Sequence, residues 1–175
     1  MSTFLSGDQL RGQTNIVDPE GDLKLGEIVL LADEKTGQAP GHKTRYSSMH
    51  TVARIVKNAG SALTPGHAAS YVANTGYGTQ VSGNPADAAA IDGIVDPEIT
   101  GTVATGDTFL LFVGGPATVI ASGNIAGPYI VSAGSGKVKT AAIGTAGRSG
   151  RVLEDASSKT DGQTFRAYLH CDVAN

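Results

Sequence analysis

The five-residue phrase TGDTF at 105–109 returns as DGQTF at 161–165, each time leading into an apolar run, FLLFV at 109–113 and FRAYL at 165–169. Sliding the chain along itself extends the match upstream. YVANTGYG at 71–78 falls on YIVSAGSG at 129–136 at an offset of 58, and DGIV at 92–95 falls on SGRV at 149–152 at 57. The two five-residue phrases are 56 apart. A repeated order of features with small length changes is how a duplicated supersecondary unit reads in sequence. The fold therefore has to place two similar units in tandem, with copies expected at approximately 60–113 and 118–175.

Each unit reads as β-structure. Short runs such as YVA, GIV, FLLFV, YIV, KVKTAAI, GRVL and TFRAYLHC are separated by Gly, Pro, Asn, Ser or Asp at the spacing of a sandwich or barrel. The 24 glycines and 7 prolines fit many tight turns rather than long helices. Thr105-Gly106-Asp107 and Asp161-Gly162-Gln163 each supply a small polar residue and a glycine for a turn, and a β-branched Thr then starts the strand. The expected fold is all-β: a short-stranded β-barrel or sandwich with an internally duplicated β-unit and an extended N-terminal arm.

The first third differs. Residues 1–24 are polar and irregular, GEIVLL at 26–31 suits a strand, and residues 32–48 form a loop. SSMHTVARIVKN at 47–58 carries both helical and strand spacing; the turns that follow at Asn58-Ala59-Gly60 and Thr64-Pro65-Gly66 favour a strand. ADAAAI at 86–91 suits one helical turn. The chain accordingly divides into an arm and basic loop over 1–50 and a duplicated β-module over 51–175. Charge follows this division. Lys35, Lys43, Arg45, Arg54 and Lys57 fall in a stretch with no acid, whereas residues 58–136 hold Asp87, Asp92, Asp96, Glu98 and Asp107 and no Lys or Arg. Such asymmetry fits either a charged contact surface or solvated loops.

No constellation of side chains supports catalysis. AGSGKVKT at 133–140 fails the phosphate-loop pattern, because Val131 stands where its first glycine belongs and Val138 follows the lysine. GRSGR at 147–151 is not a nucleophile elbow, and DASSKTDG at 155–162 lacks the alternating oxygen ligands of a calcium loop. His42, His50, His67 and His170 are scattered without metal spacing. The basic stretch holds one aromatic, Tyr46, which is a poor footprint for nucleic acid. The expectation is a non-enzyme with no cofactor, no metal, no nucleic-acid partner and no membrane segment. The single cysteine, Cys171, excludes an intramolecular disulfide. The N-terminus lacks the pattern of a secretory signal, so a soluble, cytoplasmically made protein is expected.

The two copies differ where their last strands are compared. Side chains alternate along a strand, so Phe165, Ala167, Leu169 and Cys171 share one side and Thr164, Arg166, Tyr168 and His170 the other. In the first copy Phe109, Leu111 and Val113 form the inner set, yet Leu110 and Phe112 occupy the positions of Arg166 and Tyr168. A central strand covered on both sides and a subunit interface both account for this. Leu110 and Phe112, with Lys43 and Arg45 of the basic loop, are the candidate interface residues. A core built from so few large apolar side chains also favours association.

RIVKNAGSALTPGHAASYV at 54–72 and GPYIVSAGSGKVKTAAIGTAGRSGRVLEDASSKTDGQTFRAYL at 127–169 resemble the small β-rich capsid decoration, or cement, proteins of tailed bacteriophages. The shared cues are a strand and turn leading to leucine and Pro-Gly, a Gly-Lys-Val hairpin, Gly-x-Val-x-x-Ala, a polar loop and a last strand. The long N-terminal segment and the two copies depart from the shortest members of that family. The resemblance implies a virion protein, made in the host cytoplasm, that binds major capsid protein on the capsid exterior, favouring a homotrimer. A tail- or fibre-associated carbohydrate-binding β-module is the alternative, drawing on Tyr46, Tyr71, Tyr77, Tyr129 and Tyr168.

Overall fold

A computed structural model describes residues 17–18, 23–32, 50–73, 76–144 and 147–171. Every regular element among them is a strand: β1 Val17–Asp18, β2 Ile28–Ala32, β3 His50–Asn58, β4 Ala68–Tyr71, β5 Gln80–Gly83, β6 Gly93–Val95, β7 Thr108–Ser122, β8 Tyr129–Ser132, β9 Val138–Ala141, β10 Gly150–Val152 and β11 Asp161–His170. The all-β expectation holds, including the strands read from GEIVLL and TVARIV. The expected helical turn at 86–91 is instead irregular chain, with a bridge from Asp87 to Ala133 and Ala88 held at φ 59°.

The pairing explains the repeat. β3 runs parallel to β5, β5 antiparallel to β4, β4 to β6, β6 to β7, and β7 returns to β3, closing a ring of five strands. β7 then opens the same sequence of pairings again: parallel to β9, then β9 to β8, β8 to β10, β10 to β11, and β11 back to β7. Two rings of identical topology thus share one strand. The N-terminal half of β7 ends the first ring and its C-terminal half begins the second. The parallel pair in each ring makes this a mixed sheet with ring-like bonding rather than a clean barrel.

Register shows which parts of the sequence match were structural. Ile94 pairs with Phe112 as Arg151 pairs with Tyr168, confirming the offsets of 57 and 56. The offset of 58 for the tyrosine strands is a coincidence. Ala68 pairs with Ile94 and Tyr129 pairs with Arg151, so Tyr129 is the counterpart of Ala68, at an offset of 61. Nine residues lie between the paired Tyr71 and Val81 but only five between Ser132 and Val138, and that shortened hairpin brings 61 down to 57.

The recurring TGD and DGQ phrases build the same turn. The amide of Asp107 donates to the carbonyl of Ala104 (3.2 Å), while Asp107 Oδ2 accepts from the amide of Ala104 (2.9 Å). Gln163 and Thr160 repeat both bonds at 3.1 Å and 2.9 Å, through Gln163 Oε1. Gly106 at φ 99° and Gly162 at φ 84° occupy the one position in each turn that needs a left-handed backbone.

Side-chain alternation along β7 changes sense midway. Phe109, Leu111 and Val113 point into the first ring with Val56, Ala69, Tyr71, Val81 and Val95. Leu110 and Phe112, on the other side, share a cluster with Ala117, Val119 and Ala121, so even-numbered residues give way to odd ones. The switch is a β-bulge. Val52 pairs with Gly114 and Ala53 with Phe112, leaving Val113 unopposed, and Gly115 follows at φ 78°. One extra residue in a strand of period two exchanges its faces, so the second ring's interior forms on the opposite side of β7 from the first.

Buried polar groups tie the connections down. Asn58, fully buried, donates through Nδ2 to the carbonyls of Ser61, Val103 and Ala104 and accepts from the amide of Gly60. Ser132 and Ser149 of the second ring hold the 84–92 connection of the first. The Ser132 hydroxyl donates to the Pro85 carbonyl (3.1 Å), and Ser149 Oγ accepts from the amide of Ile91 (2.6 Å). The described part of the N-terminal third belongs to this assembly. β1 pairs with Phe109 and Thr108, Leu23 is buried, and β2 pairs with β3.

Asn58→Ala leaves buried carbonyls without donors, each costing on the order of 1 kcal/mol or more, and is expected to lower unfolding free energy by about 3 kcal/mol in urea titration. Gly106→Ala, with nothing within 4 Å of the added Cβ, should cost about 1 kcal/mol for its backbone conformation alone. Gly115→Ala should cost more, because its Cβ would also strike the carbonyl of His50.

Candidate functional site

Lys43 and Arg45 lie outside the described residues. Leu110 and Phe112 are inside the fold of the single chain: Leu110 is 0% exposed and Phe112 5%. Of the two explanations for their greasy face, the covered central strand is the one the structure shows. They pack in one cluster with Phe165, Ala167 and Leu169 of β11 and with Val29 and Leu31 of β2. The neighbour they grip is the chain's own second ring and edge strand, so their assignment as subunit-interface residues is corrected.

Among the described residues the corresponding face of the second ring is uncovered. The buried row Ala68–Ile94–Phe112 across β4, β6 and β7 has as its counterpart Tyr129–Arg151–Tyr168 across β8, β10 and β11. Adjacent strands lie about 4.8 Å apart, so a tyrosine stands on each side of Arg151 within one row. Arg151 is exposed and both tyrosines are half-buried. Leu110 has Arg166 as its counterpart, and buried Ile91 has Arg148.

Local contacts order this face. The Arg148 guanidinium carbon sits 4.7 Å from the centre of the Tyr129 ring, a cation–π contact that holds an exposed arginine against the sheet. The ring of His170 lies 5.0 Å from that of Tyr168. Arg166 Nη1 donates to Thr118 Oγ1 at 2.8 Å. Arg151, Val152, Leu153, Tyr168 and His170 line a shallow groove of about 430 Å³. The nearby acids Glu154 and Asp155 are engaged elsewhere: Glu154 with Lys159 at 3.5 Å, and Asp155 with the amide and hydroxyl of Ser157, which hold its carboxyl below the usual carboxylate range. Neither Arg148 nor Arg151 has a carboxylate partner among the described residues.

Two further titratable groups, Asp87 and His67, sit where the first ring meets residues of the second. The Lys139 ammonium, 2.6 Å from Asp87, holds that carboxyl low. Burial, aided by Lys137, lowers His67. Among the described residues no group of three His, Cys, Asp or Glu could hold a metal ion, and no helix is long and apolar enough to cross a membrane.

The arginine–tyrosine row was missed at the level of sequence, although half of its signal was there. DGIV against SGRV already set Arg151 opposite Ile94, and FLLFV against FRAYL set Tyr168 opposite Phe112. Only Tyr129 was misplaced, by the hairpin length.

No family model matches the chain, and no curated protein matches its sequence. Its fold is similar to that of the head fiber gp8.5 N base of bacteriophage phi29, seen in a crystal structure, with a TM-score of 0.50 and 15% sequence identity over 69% of this chain and 93% of that one. At that identity the likeness is one of fold.

Truncations should separate the two faces. Leu110→Ala is expected to cost about 3 kcal/mol of stability through the cavity it leaves. Arg151→Ser should shift stability by no more than about 0.5 kcal/mol, as for a surface site. Parallel urea titrations of the two variants check this; a large loss from Arg151→Ser would make the row a structural element.

Proposed function

We propose that the chain is a structural protein of a phage particle that attaches to the outer surface of the head and stabilises it, in the manner of a decoration protein. The observation that carries this reading is the fold likeness to the N base of a phage head fiber, which spans nearly the whole of that module. The resemblance of residues 54–72 and 127–169 to decoration proteins points to the same particle by a separate route. The partner in this reading is major capsid protein, the assembly is a homotrimer at a symmetry axis, and the role is non-enzymatic.

The fold suits such a role. Two rings that share a strand and bury a common cluster resist being pulled apart, because separating them means breaking the β7–β11 ladder as well as exposing that cluster. A clamp on a pressurised shell needs that property more than it needs a reactive group.

Purified protein mixed with heads that lack their own decoration should co-sediment with them at micromolar concentration, and light scattering of the free protein should give the mass of a trimer. Absence of a sedimenting complex would overturn head attachment; a monomer that still binds would overturn only the trimer.

A further inference from the structure

We infer that the Tyr129–Arg151–Tyr168 face of the second ring docks a carboxylate-bearing polypeptide segment. The inference rests on head attachment only for the identity of that partner, an acidic surface of the capsid protein. The chemistry of the face stands on its own geometry.

The duplication supplies the first argument. In the first ring this same face is covered: Ala68, Ile94, Phe112, Leu110 and Ile91 are all buried in the shared cluster. At equivalent positions the second ring carries Tyr129, Arg151, Tyr168, Arg166 and Arg148, and Arg148 and Arg151 are exposed, with no other element among the described residues covering them. The fold thus presents one docking face twice, once filled from within the chain by apolar packing and once left to an outside body of different chemistry.

The side chains define that chemistry. Arginine presents a planar fork matched to a carboxylate, and it is more weakly hydrated than lysine. Arginine and tyrosine are also the residues that most often anchor protein interfaces. Here the cations are arginines. Lys139, on the strand β9 that pairs with Tyr129's strand, is already paired with Asp87 at 2.6 Å. Arg148 stacked on Tyr129 and Arg166 bonded to Thr118 are held in place before a partner arrives, which reduces the ordering entropy that binding would otherwise cost. The groove beside Arg151 has Leu153 in its wall, so an acidic segment finds apolar contact as well as charge. On a chain of formal charge −3 the face is a local reversal of sign, and it attracts carboxylates against the net field.

The test uses the full chain labelled for NMR and titrated at low salt with poly-L-glutamate, with oligogalacturonate and an oligothymidylate in separate arms. Expected are saturable shifts centred on Tyr129, Arg151 and Tyr168 with poly-L-glutamate, weaker binding of the other two polymers, and a loss of affinity of about tenfold in Arg151→Ala. Arg151→Lys, which keeps the charge and loses the fork, should recover only part of it. Shifts elsewhere on the molecule, an unchanged affinity in Arg151→Ala with its melting temperature intact, or preference for the sugar acid or the nucleic acid would overturn the inference. The head assay separates it from the reading above. Heads that bind wild type and Arg151→Ala equally well overturn the docking face and leave head attachment standing. Poly-L-glutamate bound at this face by a protein that ignores heads supports the face and removes the capsid as its partner.

Discussion

Strand β7 is hydrogen-bonded along both edges and closes two rings at once, so the rest of the molecule depends on its running unbroken through residues 108–122. A strand shared in this way has to satisfy two interiors with one alternation of side chains. It does so only because the bulge at Val113–Gly115 exchanges its faces between the halves. Without that exchange Ala117, Val119 and Ala121 would face away from Phe165, Ala167 and Leu169, and the second ring would have no core of its own. Fixing the pleat there decides where both apolar clusters lie.

The shared strand also accounts for the asymmetry between the copies. Because the rings lie on opposite sides of β7, the first ring's outer face continues into the second ring's interior, and Leu110 and Phe112 are drawn into the larger cluster. Among the described residues no strand packs over the second ring's outer face as the second ring packs over the first's, and that face carries arginines and tyrosines. Identical pairing with different chemistry at matched positions follows from position in the array, and it explains why one face looks like core and its twin like a surface.

Much of this was legible in the sequence, and what was hidden had physical causes. The strands and the paired turns could be read because a left-handed glycine beside a side-chain acceptor, as at Gly106-Asp107 and Gly162-Gln163, has few other uses. The β6/β10 and β7/β11 offsets could be read because connections between those elements are nearly equal in length. The start of the repeat could not. The first strand of each copy, HTVARIVKN in β3 and its counterpart in the second half of β7, aligns through its pairing partners, Val56 opposite Phe109 and Val119 opposite Phe165, with almost no identity. A strand that serves as the end of one unit and the beginning of the next must answer to neighbours on both sides, and its sequence records that compromise rather than its ancestry. The greasy pair Leu110 and Phe112 was recognised as unusual, but periodicity alone does not say whether a second apolar face meets the same chain or another one.

The order in which the chain leaves the ribosome gives the shared cluster another consequence. By residue 113 every strand of the first ring has been made, and its inner cluster is complete within residues 56–113 apart from flanking Val17 and Val52. The opposite side of that ring, with Ile91, Ile94, Leu110 and Phe112, has only Leu23, Val29 and Leu31 of the first third to cover it until Phe165, Ala167 and Leu169 have been added. For the span of about fifty further codons the nascent protein carries a half-covered oily flank, and crowded translation of neighbouring copies exposes it to the wrong companion before its proper one exists.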